Sequence, residues 1–360
     1  MNKYKICVYA IAKNEEQFVD RWYESVKDAD KIYVLDTGST DNTAQKLKSH
    51  GVIVKTLEIK PWRFDTARNK ALEMVDEDTD ICISIDIDEV LLPGWRQELE
   101  NNWEKNTTRI YYNYNWRLDE NNKPIVNFYI EKIHARHGYI WTHPVHEILT
   151  YLNGQENKKT VPSITVNHYP DNTKSRGSYL PLLELSVKEC PEDDRNMHYL
   201  GREYMYYGMY DKCIDTLIQH LNLKTATWKD ERCASMRFIG RSYKALKNYE
   251  ESSKWYERAI NEAPYLRDPY VEMALLQYEL KDWDKVIFYC DEALKITDKY
   301  KSYINETFSW DNTIYDLKSI AYYNLNNKEK ALENINIALS YAKDDERLKN
   351  NKIIIENMKG

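Results

Sequence analysis

The chain has 360 residues, enough for two or three domains, and 42 % of them are hydrophobic, which excludes wholesale disorder. Its net charge of −7 argues against nucleic acid or an anionic membrane as partner, both of which call for a basic patch. The first residues carry no apolar signal core, no run of about 18 apolar residues occurs, and the six cysteines form no C-x-x-C pair. A cytoplasmic protein with reduced thiols and no membrane insertion is expected.

Residues 6–12 form an apolar run ending at Lys13-Asn14-Glu15-Glu16. Residues 16–26 read as a helix, with Phe18, Val19, Trp22 and Val26 on one stripe. Lys31 to Leu35 predicts a second strand, which runs into the polar turn Asp36-Thr37-Gly38-Ser39-Thr40-Asp41-Asn42-Thr43. A helix over 43–49, stopped by Gly51, a strand over 52–59, a helix over 64–75 and a strand over 81–85 follow. Strands alternating with helices imply a mostly parallel sheet, and such sheets bind ligands beyond the carboxyl ends of their strands. Asn14, Asp36 and Asp86 each stand at such an end. In an extended chain Asp86 and Asp88 point to one side and Ile85 and Ile87 to the other. Two carboxylates so placed suit Mg²⁺ or Mn²⁺ shared with a substrate phosphate.

Pro93 suits the first position of a helix over 95–103. Residues 109–116 and 126–133 predict a hairpin around the turn at 118–124. The stretch His137 to Ile148 contains His143, His146 and Glu147, without the H-E-x-x-H order of a zinc helix. His168 follows the apolar strand 164–166 and reads equally as a ligand or as a satisfied core histidine.

The segments Ala12-Lys13-Asn14-Glu15-Glu16, Asp36 to Thr43, Ala67-Arg68-Asn69 and Asp86-Ile87-Asp88-Glu89 resemble, in order and spacing, the family 2 glycosyltransferases of the GT-A fold. The likeness covers roughly residues 4–150, and the D-T-G-S-T-D-N-T octapeptide is its most specific part. It implies a UDP-sugar donor and a divalent metal, Mn²⁺ or Mg²⁺. By this resemblance Ala12 leaves room for the nucleotide, Asp36 accepts from the uracil ring and Arg68 helps to hold the nucleotide. Asp86 faces the ribose or donor sugar, and Asp88 ligates the metal, with His168 as a second candidate ligand. Asp36 also reads as a turn cap, although Asp41 suits that task better. Asn14 and Glu15 either cap the first helix or reach the ligand.

An inverting transfer needs one base to take the acceptor's proton. Glu147 is the first acid after Glu131 and lies in a V-H-E segment similar to that of repeat-bearing members of the family. It is the expected base, with His146 or His143 orienting a phosphate or the acceptor.

Residues 171–178 are polar and predict a linker. Beyond them a small residue recurs at Gly201, Gly240, Ala274 and Ser319, spaced 39, 34 and 45 residues apart. Each is followed nine residues later by Tyr210, Tyr249, Trp283 or Lys328, and then by Cys213, Ser252, Val286 or Ala331. The middle spacing is the tetratricopeptide period, so about four helix pairs and a capping helix over 344–360 are expected. The division is then a GT-A domain over 1–170 and a tetratricopeptide-like region over 171–360. By analogy with repeat-bearing peptide and flagellin glycosyltransferases, the repeats imply a peptide or protein acceptor, or homodimerisation. A polysaccharide or lipid acceptor is the alternative within the enzyme class. A repeat adaptor with a relic nucleotide-sugar domain is the alternative outside it.

Overall fold

The computed structural model describes residues 3–171, 177, 179–299 and 302–358. It divides into two compact units, Met1–Ser186 with Lys301–Tyr303, and Val187–Tyr300 with Ile304–Gly360. The linker expected over 171–178 lies, but for Asp171 and Gly177, outside the described residues.

The first unit is built on an eight-stranded sheet. Its strands are β1 (Ile6–Ala12), β2 (Lys31–Asp36), β3 (Ile53–Thr56), β4 (Ile81–Ser84), β5 (Glu89–Leu91), β6 (Arg109–Leu118), β7 (Pro124–Ala135) and β10 (Lys158–His168), in the order β3-β2-β1-β4-β7-β6-β10-β5. The strands β8 (Tyr139–Thr142) and β9 (Ile148–Tyr151) form a separate hairpin. β1, β2, β3 and β4 run parallel. The expected hairpin of β6 and β7 is present and joins the sheet through β4.

Alternation along the strands sorts the core into two layers. Ile6, Val8, Val34, Ile83 and Ile85 pack with Trp22 and Val26 of α1 (Val19–Val26) and Leu47 of α2 (Thr43–Ser49). Cys7, Tyr9, Leu35 and Cys82 face the other way, onto Ala71 and Leu72 of α3 (Phe64–Leu72) and onto Trp141 and Leu149 of the small hairpin. These strands are therefore covered on both faces, as their continuous apolar runs predict.

Several boundaries differ from the sequence reading. α1 begins at Val19, because Glu16 is engaged instead with Asp41 and Asn42 at the start of α2. β3 ends at Thr56, opposite Asp36, where its neighbour β2 ends. Pro93 does not open a helix. Gly94, at φ 91°, precedes α4 (Trp95–Asn102), a backbone geometry that suits glycine. β10 runs longer than 164–166, with its register to β6 broken between Val161 and Thr165, around Pro162, which has no N–H for the ladder.

The second unit is a run of antiparallel helix pairs after α5 (Tyr179–Glu189). They are α6 (Asp194–Tyr206) with α7 (Tyr210–Asn222), α8 (Lys229–Ala245) with α9 (Tyr249–Glu262), α10 (Asp268–Leu280) with α11 (Trp283–Lys295), and α12 (Thr313–Asn324) with α13 (Lys328–Tyr341), closed by α14 (Glu346–Glu356). The four-pair register holds throughout. Tyr210, Tyr249, Trp283 and Lys328 each open the second helix of a pair. Two residues earlier Gly208, Lys247, Lys281 and Asn326 all take a positive φ, between 57° and 72°. Gly240 has a packing reason: a Cβ there would lie 2.5 Å from the buried Tyr256 ring.

Candidate active site

Because β2, β1 and β4 are parallel neighbours, the turns after them share one rim of the sheet. After β1, Asn14 adopts φ 54°, donates its backbone N–H to Ser39 Oγ at 2.9 Å and accepts from Thr40 N at 2.8 Å. Asp36 closes β2, is buried, and accepts from the N–H groups of Gly38 and Ser39 at 3.3–3.4 Å. Asp41 accepts from Thr43 N at 3.0 Å and Thr43 Oγ1 at 2.6 Å at the start of α2. The D-T-G-S-T-D-N-T octapeptide is thus a tight polar turn laced to the turn after β1. Ala12 is buried, and its carbonyl accepts from Thr37 N and Oγ1.

The D-x-D pair lies just past β4, in a turn and not in the strand. Ile85 and Ile87 are buried while Asp86 and Asp88 are partly buried, and because the segment is a turn the extended alternation expected for these four residues does not apply. Glu89 N–H donates to Asp86 O at 2.9 Å and Asp86 N–H to Glu89 Oε2 at 2.9 Å, which closes the turn.

Asp86 is clamped between two cations. Arg68 of α3, only 6 % exposed, grips both its oxygens, at 2.7 and 3.1 Å. Lys132 of β7 donates to Asp86 Oδ2 at 2.8 Å and to Glu89 Oε1 at 3.0 Å. Glu89 also accepts from Tyr114 Oη at 2.8 Å. Burial by itself raises the Asp86 pKa, but the charges of Arg68 and then Lys132 override it and hold the carboxyl well below the usual range. For Glu89 burial prevails over Lys132 and the pKa moves up. The other carboxylate partner of the guanidinium is Glu147, whose Oε1 accepts from Arg68 Nε–H.

Glu147 ends the loop between β8 and β9, in which His143 and His146 both adopt positive φ, 75° and 51°. The motif Ala67-Arg68-Asn69 explains how this loop meets α3. Asn69 exchanges two hydrogen bonds with the backbone of Trp141, both 2.8 Å, and the Trp141 ring lies 5.0 Å from the Arg68 guanidinium. Phe64 N–H donates to Pro144 O at 3.0 Å. The His146 ring lies 5.9 Å from that of Tyr179.

Asp88 meets His168 from far along the chain. β10 pairs antiparallel with β5, placing His168 opposite Glu89, and Tyr169 N–H donates to Asp88 O at 2.8 Å. His168 Nε2 then lies 3.3 Å from Asp88 Oδ2, and Nδ1–H donates to Trp116 O at 3.1 Å. Burial lowers the His168 pKa, but the hydrogen bond and charge of Asp88, the charge of Glu89 and the Trp116 carbonyl together outweigh it and the net shift is upward.

Among these donors Asp88 and His168 fit a divalent cation. Asp86 Oδ2 already accepts from Arg68 and Lys132 and Oδ1 from Arg68, so Asp86 is the more heavily engaged of the two aspartates. Asp88 and His168 offer a carboxylate oxygen and an imidazole nitrogen close enough to share one ion, with the ring oriented through its other nitrogen.

Most of the candidate residues therefore fall into three groups: Asn14 with the Asp36 turn, Arg68 with Asp86 and Glu147, and Asp88 with His168. Sequence reasoning missed Lys132 and Tyr114. Lys132 reaches Asp86 because β7 docks on β4, with Ile133 opposite Ile83, a non-local pairing that no local pattern announces.

A mostly parallel α/β unit with this rim, followed by tetratricopeptide-type helix pairs, defines a glycosyltransferase domain carrying a helical repeat array. Residues 7–151 match the family model described as Glycosyl transferase family 2, and this segment is a domain of that family. Solved structures similar to the chain match its helical region. One is MamA, at 16 % identity and TM-score 0.39, over 48 % of this chain and 91 % of that one. Another is YrrB, a TPR protein with an unusual peptide-binding site, at 13 % identity and TM-score 0.38, over 48 % and 81 %. A third is a thermophilic TPR protein of Thermus thermophilus, at 17 % identity and TM-score 0.35, over 50 % and 89 %. Comparison with curated proteins finds no significant match. No helix among the described residues is long and apolar enough to cross a membrane.

Proposed function

We propose that the chain is a metal-dependent, inverting glycosyltransferase that moves a sugar from a UDP-sugar to a peptide or protein acceptor. The observation that carries this reading is the convergence, at one rim of the sheet, of the Arg68–Asp86–Glu147 cluster with the Asp88–His168 pair. In the proposed reaction an acceptor heteroatom attacks the anomeric carbon while the bond from that carbon to the phosphate oxygen breaks and UDP departs. Glu147 takes the acceptor's proton. Arg68 holds one oxygen of Glu147, and a carboxylate has lone pairs to spare for a proton on the other. Asp36 and Asn14 bind the nucleotide, Arg68 and Lys132 hold Asp86 toward the donor, and Asp88 with His168 holds Mn²⁺ or Mg²⁺. The metal, when bound, neutralises charge on the diphosphate leaving group.

The repeat region, over 171–360, is the proposed acceptor-binding or dimerising part. It exposes Tyr206, Tyr207, Trp228, Tyr265, Tyr278 and Phe288, side chains suited to peptide contact. A reducing cytoplasmic setting suits its free thiols. The test is calorimetric titration of UDP with Mn²⁺ and with EDTA. Affinity should be metal-linked, and Asp88→Ala should abolish the metal-dependent part. Equal affinity in Mn²⁺ and EDTA would overturn the metal role.

A further inference from the structure

The repeat unit contains a second group of ligating side chains. It lies where α6 and α8 begin and α7 ends, one end of three successive antiparallel helices. Asp194 is the first residue of α6, Glu231 is in the first turn of α8, and His220 is in the last turn of α7. His220 is fully buried, Glu231 is 3 % exposed and Asp194 is half-buried, so the group has one side toward solvent. One ligating atom from each lies within 4.8 Å of the others.

Two features separate this group from an ordinary buried ion pair. First, His220 Nε2 makes no hydrogen bond although it is shut away from water, and it lies 3.4 Å from Glu231 Oε1. A buried ring nitrogen left in that position is costly unless something binds it. Second, the far side of the ring is supported. His220 Nδ1 is 3.0 Å from Ser235 Oγ, which is 2.7 Å from His198 Nδ1. If the single hydroxyl proton of Ser235 serves its nearer neighbour, His198, then Ser235 Oγ accepts from His220 Nδ1–H. The Nε2 lone pair of His220 then faces the two carboxylates. This is the outer-shell arrangement that fixes the tautomer of a metal-binding histidine. A lone pair facing two carboxylates is unfavourable where His220 and Glu231 are shut away from water, and a divalent cation relieves all three at once.

We propose that Asp194, His220 and Glu231 bind one divalent transition-metal ion of the zinc class, distinct from the ion assigned to Asp88. One imidazole nitrogen and two carboxylate oxygens are a zinc-type donor set, and the half-buried Asp194 leaves a route for entry and for a solvent ligand. The ion would pin the ends of the first three helices of the array together, a structural role.

The experiment uses the full chain, stripped with a chelator and then dialysed against Zn²⁺ in excess Mg²⁺. Mg²⁺ competes at a hard-oxygen site but poorly at an imidazole. Bound zinc is measured by elemental analysis, and affinity by competition with a fluorescent zinc chelator. In an Asp88→Ala background, which removes the other imidazole-containing candidate site, one Zn²⁺ per chain should remain. Asp194→Asn and Glu231→Gln should each weaken it by at least ~100-fold, and Ser235→Ala, which keeps all three ligands, by ~10- to 100-fold. If Glu231→Gln does not fold, the half-buried Asp194→Asn decides the matter. No retained Zn²⁺, or Asp194→Asn binding as tightly as the natural chain, would overturn the proposal and leave a proton-sharing hydrogen-bond cluster in its place.

Discussion

Replacing Glu147 by Gln separates two tasks that the structure superimposes on one carboxylate. Glu147 is a partner of the buried Arg68 and also the proposed base. Gln still offers an oxygen to Arg68 Nε–H, but the bond changes from charged–charged to charged–neutral. Arg68 keeps its two bonds to Asp86, at 2.7 and 3.1 Å. Arg68 remains a charged donor, so the bond stays charge-assisted and only the ion-pair part is lost, a stability cost of about 1–2 kcal/mol. Loss of a general base should lower kcat by about 10² to 10⁴, or about 2.7–5.4 kcal/mol of barrier. The catalytic effect should therefore exceed the structural one and appear in kcat, with UDP affinity nearly unchanged. Urea unfolding gives the first quantity, and steady-state transfer to a hydroxyl acceptor gives the second. A thiol acceptor would blur the outcome, because it is partly ionised near neutral pH. A kcat within about tenfold of the natural chain, together with the stability loss of about 1–2 kcal/mol, would refute the base. Glu147 would then be a positioning partner of Arg68, and Asp119, Glu131 and His146 would be tested next.

Arg68→Met should be more damaging to the fold, because it strands Glu147 and half-strands Asp86. A loss of about 3–5 kcal/mol is expected in urea unfolding, and a loss below about 1 would show that Lys132 and water can take over the two carboxylates. Gly240→Ala should lower repeat-unit stability by about 1–3 kcal/mol, since the new methyl meets the Tyr256 ring at 2.5 Å; an unshifted thermal transition would mean that α8 and α9 can move apart without cost. His134 gives a pH dependence of known sign. Its ring is fully buried between Tyr9 Oη and the Ala135 carbonyl, and burial pushes its pKa down to about 3. The native state thus binds fewer protons than the unfolded one between about pH 6.5 and 3, so stability is full above that window and falls as pH drops through it, by up to ~1.4 kcal/mol per pH unit. His134→Gln should flatten that slope by one proton's worth, and an unchanged slope would show that His134 does not titrate on unfolding.

The local grammar of the chain determined a good deal by itself. Apolar runs ending in Asn14, Asp36 and Asp86 announce strands whose carboxyl ends hold polar groups, and α2 occupies the predicted 43–49. The repeat register, read from single residues such as Gly201 and Tyr249, survives as four helix pairs, because each pair is a local unit whose contacts are mostly with its neighbour in sequence. What only the tertiary structure decided is who faces whom across long stretches of chain. The two aspartates of the D-x-D look alike in sequence, yet they are put to different uses. Asp86 is sealed between Arg68, 18 residues before it, and Lys132, 46 residues after it. Asp88 instead receives His168, because a three-residue strand, β5, pairs with β10. Likewise Asp194, His220 and Glu231 carry no motif, since their spacing belongs to three different helices. Periodicity reports the burial of each element separately. The charges that meet in a site are set by sheet order and helix docking, which depend on non-local contacts that local sequence does not encode.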